Sequence, residues 1–173
     1  MIILGIDPGL AHTGWGVIEI AGSKQRCIAY GCVTTPAQDE TPDRLACIYR
    51  EISSVITRYA PCACAVENIY FSTNVKSAFA TGQARGVALL AMADAGLELG
   101  EYSPVQIKGT VVGTGAADKS QVAYMVKASL GLDHEPAPDH ASDALAVAIC
   151  HARMRGGPEA RKRMERALGG ASR

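Results

Sequence analysis

The 173 residues are 48% hydrophobic, with no apolar run long enough to span a bilayer and no basic leader ahead of Met1-Ile2-Ile3-Leu4-Gly5. That excludes a membrane-embedded chain and makes the cytoplasm the default compartment. Seventeen Lys/Arg balance seventeen Asp/Glu, so net charge gives no pull toward nucleic acid. The distribution is uneven, however: residues 153–173 hold seven Lys/Arg and two Asp/Glu, and the other 152 hold ten and fifteen. Such a tail either holds phosphate backbone or is a solvated, frayed terminus. The six cysteines lie mostly in apolar segments and show no Cys-x-x-Cys spacing, so they read as buried free thiols.

The length fits one domain, expected over residues 1–155, with a basic tail over 156–173. Residues 2–6 read as a strand ending at Asp7, and Pro8-Gly9 turns the chain. Residues 14–20 alternate in strand fashion, and Gly22-Ser23 leads into a third strand over residues 27–34, an antiparallel hairpin. Thr41-Pro42 reads as a helix start with threonine as N-cap. Leu45, Ile48, Ile52, Val55 and Ile56 then recur at helical spacing to Tyr59, before Pro61.

Residues 62–66 form a short apolar strand with Glu67 at its end. Residues 68–75 read as a loop carrying two aromatics. A helix is expected over residues 77–95, with Gly82 and Gly86 marking a break or a close-packing face. A strand is expected near residues 101–105, followed by a glycine-punctuated connector over 111–115. Asp118 with Gln121 resembles a capping box opening a helix to Leu130. The last helix runs from His140 to about Met154, with Asp139 as its cap. Strands followed by alternating strands and helices point to a mixed sheet covered by helices.

Two acids at strand ends stand out, because the carboxyl edge of an open α/β sheet is where ligands bind. Asp7 either serves a site there or caps local amides in an Asp-Pro-Gly turn. Glu67 follows a strand apolar enough to be buried, where an unpaired glutamate is costly. It either serves a site or pairs with an arginine. His140 and Asp143 lie three apart on the last helix and share a face. The alanines at 141, 144, 146 and 148 let that helix approach the sheet and bring the pair to Asp7 and Glu67. Three carboxylates and an imidazole suit Mg²⁺ or Mn²⁺, and two such ions can activate water and stabilise the leaving oxygen of a phosphodiester.

Lys108 and Lys119, on either side of the connector, either hold phosphate or are solvated. Arg85 either does the same or pairs with a carboxylate. Tyr70 and Phe71 either stack on an unpaired base or pack a loop onto the core.

Several segments together resemble the RuvC family of bacterial Holliday junction resolvases, over nearly the whole chain to about residue 152. They are Gly-Ile-Asp-Pro-Gly at 5–9, Thr-Gly-Trp-Gly-Val at 13–17, Gly-Gln-Ala-Arg-Gly-Val at 82–87, Lys-x-Thr-Val-Val-Gly-x-Gly from Lys108, Asp-Lys-Ser-Gln-Val from Asp118, and Asp-Ala-Leu-Ala-Val-Ala-Ile from Asp143. The resemblance implies a ribonuclease-H-like α/β fold with a mixed five-stranded sheet flanked by helices. It further implies a homodimer, a partner branch-migration complex, and paired symmetric nicks across a four-way DNA junction with Mg²⁺ or Mn²⁺, two ions per site.

The resemblance maps the metal-binding acids onto Asp7, Glu67 and Asp143, and the fourth ligand onto His140, where many relatives carry aspartate. The spacing to Asp143 favours His140 over Asp139. The junction-engaging aromatic falls on Tyr70, with Phe71 beside it, and Lys108 and Lys119 fall on basic residues near the scissile phosphate. Two other readings are a junction-binding module without catalysis and an actin-like nucleotide-binding protein. The second would need a duplicated domain for which the chain has no room.

Overall fold

The structure is a computed structural model and describes residues 1–68 and 75–155, excepting the side chains of residues 75 and 76. Tyr70, Phe71 and the basic tail lie outside the described residues. Strands β1 (Ile2–Asp7), β2 (His12–Ala21) and β3 (Lys24–Thr34) form an antiparallel meander. Helix α1 (Thr41–Tyr59) crosses over to β4 (Ala63–Glu67), which lies parallel to β1, and α2 (Val75–Asp94) crosses to β5 (Glu98–Tyr102), parallel to β4. The sheet order is β3-β2-β1-β4-β5. Helices α3 (Pro104–Val112), α4 (Lys119–Leu130) and α5 (Asp139–Arg155) follow. This is the mixed five-stranded, ribonuclease-H-like sheet expected from the sequence. Among the described residues, no helix is long and apolar enough to cross a membrane.

Alternation along the strands separates two cores. Leu4, Ile6, Val17 and Cys64 pack with Ile48, Ile52 and Ile56 of α1 and Ala84, Ala88 and Met92 of α2. Ile3, Ile18 and Ala65 face the other way, onto α3, α4 and the run from Leu145 to Cys150 in α5. Gly5 and Asp7 share that second face with Ile3. A Cβ on Gly5 would come within 2.7 Å of the Ala148 amide nitrogen, and a Cβ on Gly14 would overlap the His140 carbonyl. The glycines therefore let the α5 backbone rest directly on β1 and β2.

Several boundaries differ from the sequence expectation. Glu40, not Thr41, is the N-cap of α1, and it caps without a side-chain hydrogen bond. The fifth strand ends at Tyr102, because Pro104 opens α3, a helix expected instead to be partly strand and partly connector. Ser103 and Gln106 form the capping box that starts α3, just as Asp118 and Gln121 start α4. Asp139 is the first residue of α5 rather than a residue before it. Helix α2 is unbroken, and among the described residues a Cβ at Gly82 or Gly86 would meet nothing within 4 Å. All six cysteines are free. Cys64 and Cys150 are buried, whereas Cys62 precedes β4 and is exposed.

Candidate metal centre

Asp7 ends β1 and Glu67 ends β4, two neighbouring parallel strands in which Ile6 pairs with Val66. Both side chains point to the α5 face, at the carboxyl edge of the sheet. The close seating of α5 on Gly5 and Gly14 brings its first turn to the same edge. There His140 Nδ1 lies 2.7 Å from Asp7 Oδ2. One ligand atom from each of Asp7, His140 and Asp143 falls within 4.8 Å of the others. Glu67 lies outside this tightest group but close enough to feel it.

Burial first, and then the charges of Asp7 and Asp143, push the Glu67 carboxyl up to about 7, against the opposing pull of Lys108. Burial and Asp7 likewise raise Asp143 above the ordinary carboxylate range, while Lys119 and His140 pull it down. Negative charge is thus packed here faster than the protein supplies counter-charge. That donor set, three carboxylates and an imidazole, fits a hard divalent cation.

A cavity of about 210 Å³ opens between β4, α3, α4 and α5, and Glu67, Asp143, Lys108 and Lys119 all line it. Lys119, in the first turn of α4, stands 3.3 Å from Asp143 Oδ2 and 3.2 Å from Asp139 Oδ2. Burial works against its charge, but the two aspartates outweigh that and hold its pKa above the ordinary lysine value. Asp139 therefore engages a lysine, with its side chain 77% exposed, while His140 engages Asp7. A larger hollow of about 530 Å³ lies near the β2–β3 turn and the end of α4, but it gathers no comparable set of acids.

The structure thus brings together Asp7, Glu67, His140, Asp143, Lys108 and Lys119. Arg85 is elsewhere: it meets the Glu101 carboxylate, donates to Asn68 Oδ1 at 3.0 Å, and reaches the Glu67 carbonyl at 3.4 Å. The sequence left open whether Arg85 pairs with a carboxylate, and it does.

Two features went unread in the sequence. His12 stacks on His140, with ring centroids 5.4 Å apart and planes 21° from parallel. Starting β2 at residue 14 hid it, because pairing of His12 with Thr34 extends the strand to residue 12. The turn after Asp7 is also braced. Thr13 Oγ1 donates to the Gly9 carbonyl at 2.7 Å, Thr35 Oγ1 donates to the Leu10 carbonyl at 2.5 Å, and Arg44 Nε donates to Thr35 Oγ1 at 2.9 Å.

Residues 3–151 match the family model described as crossover junction endodeoxyribonuclease RuvC. The chain belongs to the RuvC family. It is 53% identical over 152 residues to the RuvC crossover junction endodeoxyribonuclease of Alkaliphilus oremlandii, covering 88% of this chain and 93% of the relative. Its fold is similar to Thermus thermophilus RuvC at 38% identity, with a TM-score of 0.82 and coverage of 89% and 96% of the two chains. It is equally similar to Thermus RuvC in complex with a Holliday junction substrate, with 38% identity, a TM-score of 0.84, and coverage of 88% and 93%. RuvC proteins are metal-dependent nucleases, and Asp7, His140 and Asp143 at the sheet edge form a candidate metal site in this chain.

Proposed function

We propose that this chain resolves four-way (Holliday) DNA junctions in the bacterial cytoplasm during recombination and repair, by paired symmetric nicks. The observation that carries this reading is the convergence of Asp7, His140 and Asp143 at the sheet edge, beside Glu67. The four side chains would hold Mg²⁺ or Mn²⁺, two ions per site. When bound, such ions supply an activated water and charge stabilisation at the leaving oxygen.

The protein's own part is to hold and orient. Asp7 and Glu67 are fixed by a strand pair, and His140 and Asp143 by a helix seated on glycine. Lys108 and Lys119 line the same cavity, so they contact the phosphate next to the cut. Lys119 also draws the Asp143 carboxyl down, against the burial and the Asp7 charge that raise it. His140 is assigned as the fourth ligand, because Asp139 is turned to Lys119. Tyr70 and Phe71, which follow Glu67 in the chain, are assigned to unpaired bases at the junction centre.

Paired nicks need two sites, and the reading includes a homodimer. The outer side of α2 supports it: Phe79 is 69% exposed and Leu90 53% exposed, on one helical face with Gly82 and Gly86. A second copy packed there would cover that face. A branch-migration complex is the expected partner upstream.

The test incubates the protein with a synthetic four-way junction or linear duplex, with Mg²⁺ or Mn²⁺. Junction-selective cutting lost in Asp7→Asn is expected. Equal cutting of junction and duplex refutes junction selectivity, and cutting retained in Asp7→Asn refutes the site. His140→Ala is expected to lose activity that Asp139→Ala keeps, and the reverse would exchange their roles.

A further inference from the structure

Glu67 is the last residue of a five-residue strand, and its support is one-sided. The pairing of β4 with β1 ends at Val66, whereas the pairing with β5 continues through Glu67 opposite Tyr102. The next residue adds one more bond to that side, from the Asn68 amide to the Tyr102 carbonyl at 2.8 Å. Arg85, delivered by α2 from the opposite face of the sheet, meets the same strand end. Its Nε reaches the Glu67 carbonyl, and one terminal nitrogen bridges Asn68 Oδ1 and the Glu101 carboxylate. The Arg85 side chain is only 19% exposed and is absent from the lining of the cavity that holds Glu67, Asp143, Lys108 and Lys119.

We propose that Arg85 is a positioning residue for cleavage: with Glu101 as its counter-charge, it fixes the end of β4 and so the direction in which Glu67 offers its carboxylate to a divalent cation. A planar guanidinium suits this task, because its donors diverge in a fixed fork and can tie three elements at once. The residue type at 85 is then set by geometry rather than by charge. An ammonium at that position keeps the charge but has no such fork.

A residue of this kind is read out through the metal. Removing a partner that orients a ligand typically weakens metal affinity about 10-fold to 100-fold. The proposal rests on the reading of Glu67 as a metal-site carboxylate, so Glu67→Gln serves as the reference. For wild type, Arg85→Lys, Glu101→Gln and Glu67→Gln, direct Mn²⁺ binding is followed by the electron paramagnetic resonance of the free ion. Junction affinity in Ca²⁺, single-turnover cleavage against Mn²⁺ concentration and the melting temperature are measured alongside.

The expected result is Mn²⁺ binding about 10-fold weaker in Arg85→Lys and Glu101→Gln. The Mn²⁺ needed for half-maximal cleavage should rise by the same factor, and saturating Mn²⁺ should restore the rate. Junction affinity should stay within about twofold, because the phosphate-facing cavity is untouched. A DNA-contacting Arg85 gives a different pattern. Arg85→Lys would then be mild, and Glu101→Gln would tighten junction binding by freeing the cation. That outcome overturns the proposal, as does a lower melting temperature with unchanged Mn²⁺ affinity. If Glu67→Gln itself leaves Mn²⁺ binding and cleavage intact, the reading of the site fails. If Glu67→Gln abolishes both while the other two variants match wild type, the positioning role alone fails.

Discussion

Leu4 and Ile6 leave β1 on one side, and Ile3, Gly5 and Asp7 leave it on the other. On the first side the sheet presents bulky aliphatic chains to α1 and α2, and the helices stand off on a layer of interlocked side chains. On the second side glycine and alanine thin that layer until the backbone of α5 touches the strands. Both faces bury aliphatic side chains and stabilise the fold. The second also uses its small residues to set a distance, and that distance is what places His140 beside Asp7. Site geometry is thus drawn from the small residues that punctuate the second face.

Substitution on the two faces should separate these roles. Leu4→Ala is expected to cost about 2–5 kcal/mol in unfolding free energy, with the cleavage rate per folded molecule unchanged. Gly14→Ala forces the first turn of α5 away, costing about 1–3 kcal/mol and lowering single-turnover cleavage about 100-fold, as a displacement near 1 Å can. Denaturant titration and cleavage assays on the same samples decide it. If both variants lose rate equally, the division between the faces does not hold.

The next effect concerns protons at the site edge. Glu67 sits at about 7 in the folded chain against an ordinary value of 4.5. Between those values the metal-free native state holds a proton that the unfolded chain has released, so stability falls as pH rises through the window. Asp143 acts in the same direction. The melting temperature of the metal-free protein should therefore drop from pH 5 to pH 8, and Glu67→Gln should flatten the slope. A slope unchanged by the substitution would show that Glu67 is not the group responsible.

His151 has the opposite sign. It is 3% exposed, Tyr102 lies 2.9 Å from its Nδ1, and burial first and Arg155 second hold its pKa below 6.5, with Glu98 opposing. The unfolded chain gains a proton there that the native state refuses, so the stability it contributes is present above 6.5 and lost as pH falls. His151→Gln should be less acid-sensitive than wild type when the two unfolding curves are compared between pH 7 and pH 5. The smallest effect belongs to the exposed Arg26–Glu19 pair at 2.5 Å, where Glu19→Gln should change stability by about 0.5 kcal/mol or less.

The sequence disclosed the residues of the candidate site more clearly than the boundaries of β5 and α3. Asp7 and Glu67 were legible because each interrupts an apolar run at its end, and His140 with Asp143 because their spacing places them on one helical face. Strand β5 was misplaced because it is an edge strand: Glu98, Leu99 and Glu101 are exposed, and no alternating apolar pattern announces it. Helix α3 was hidden by the Gly109-Thr110-Val111-Val112 run, which reads locally as strand or connector, although Ser103 and Gln106 carried a start signal. The partner of Arg85 depended on β5 being where it is, so it could not be read before the strand was placed. His12 failed for a similar reason, since two more pairs in β2 move it from a turn to the rim of the site.

Asp7 and His140 are 133 positions apart in the chain. The contact joins the first strand to the last described helix. During synthesis the opening strand leaves the ribosome long before its partner exists, and the helix must then dock onto a sheet whose glycines are already in place. A nascent or truncated chain lacking α5 would carry Asp7 and Glu67 but only half the ligand set. On the proposed ligand assignment such a chain has no competent centre, and cutting would begin only once α5 has been made and seated.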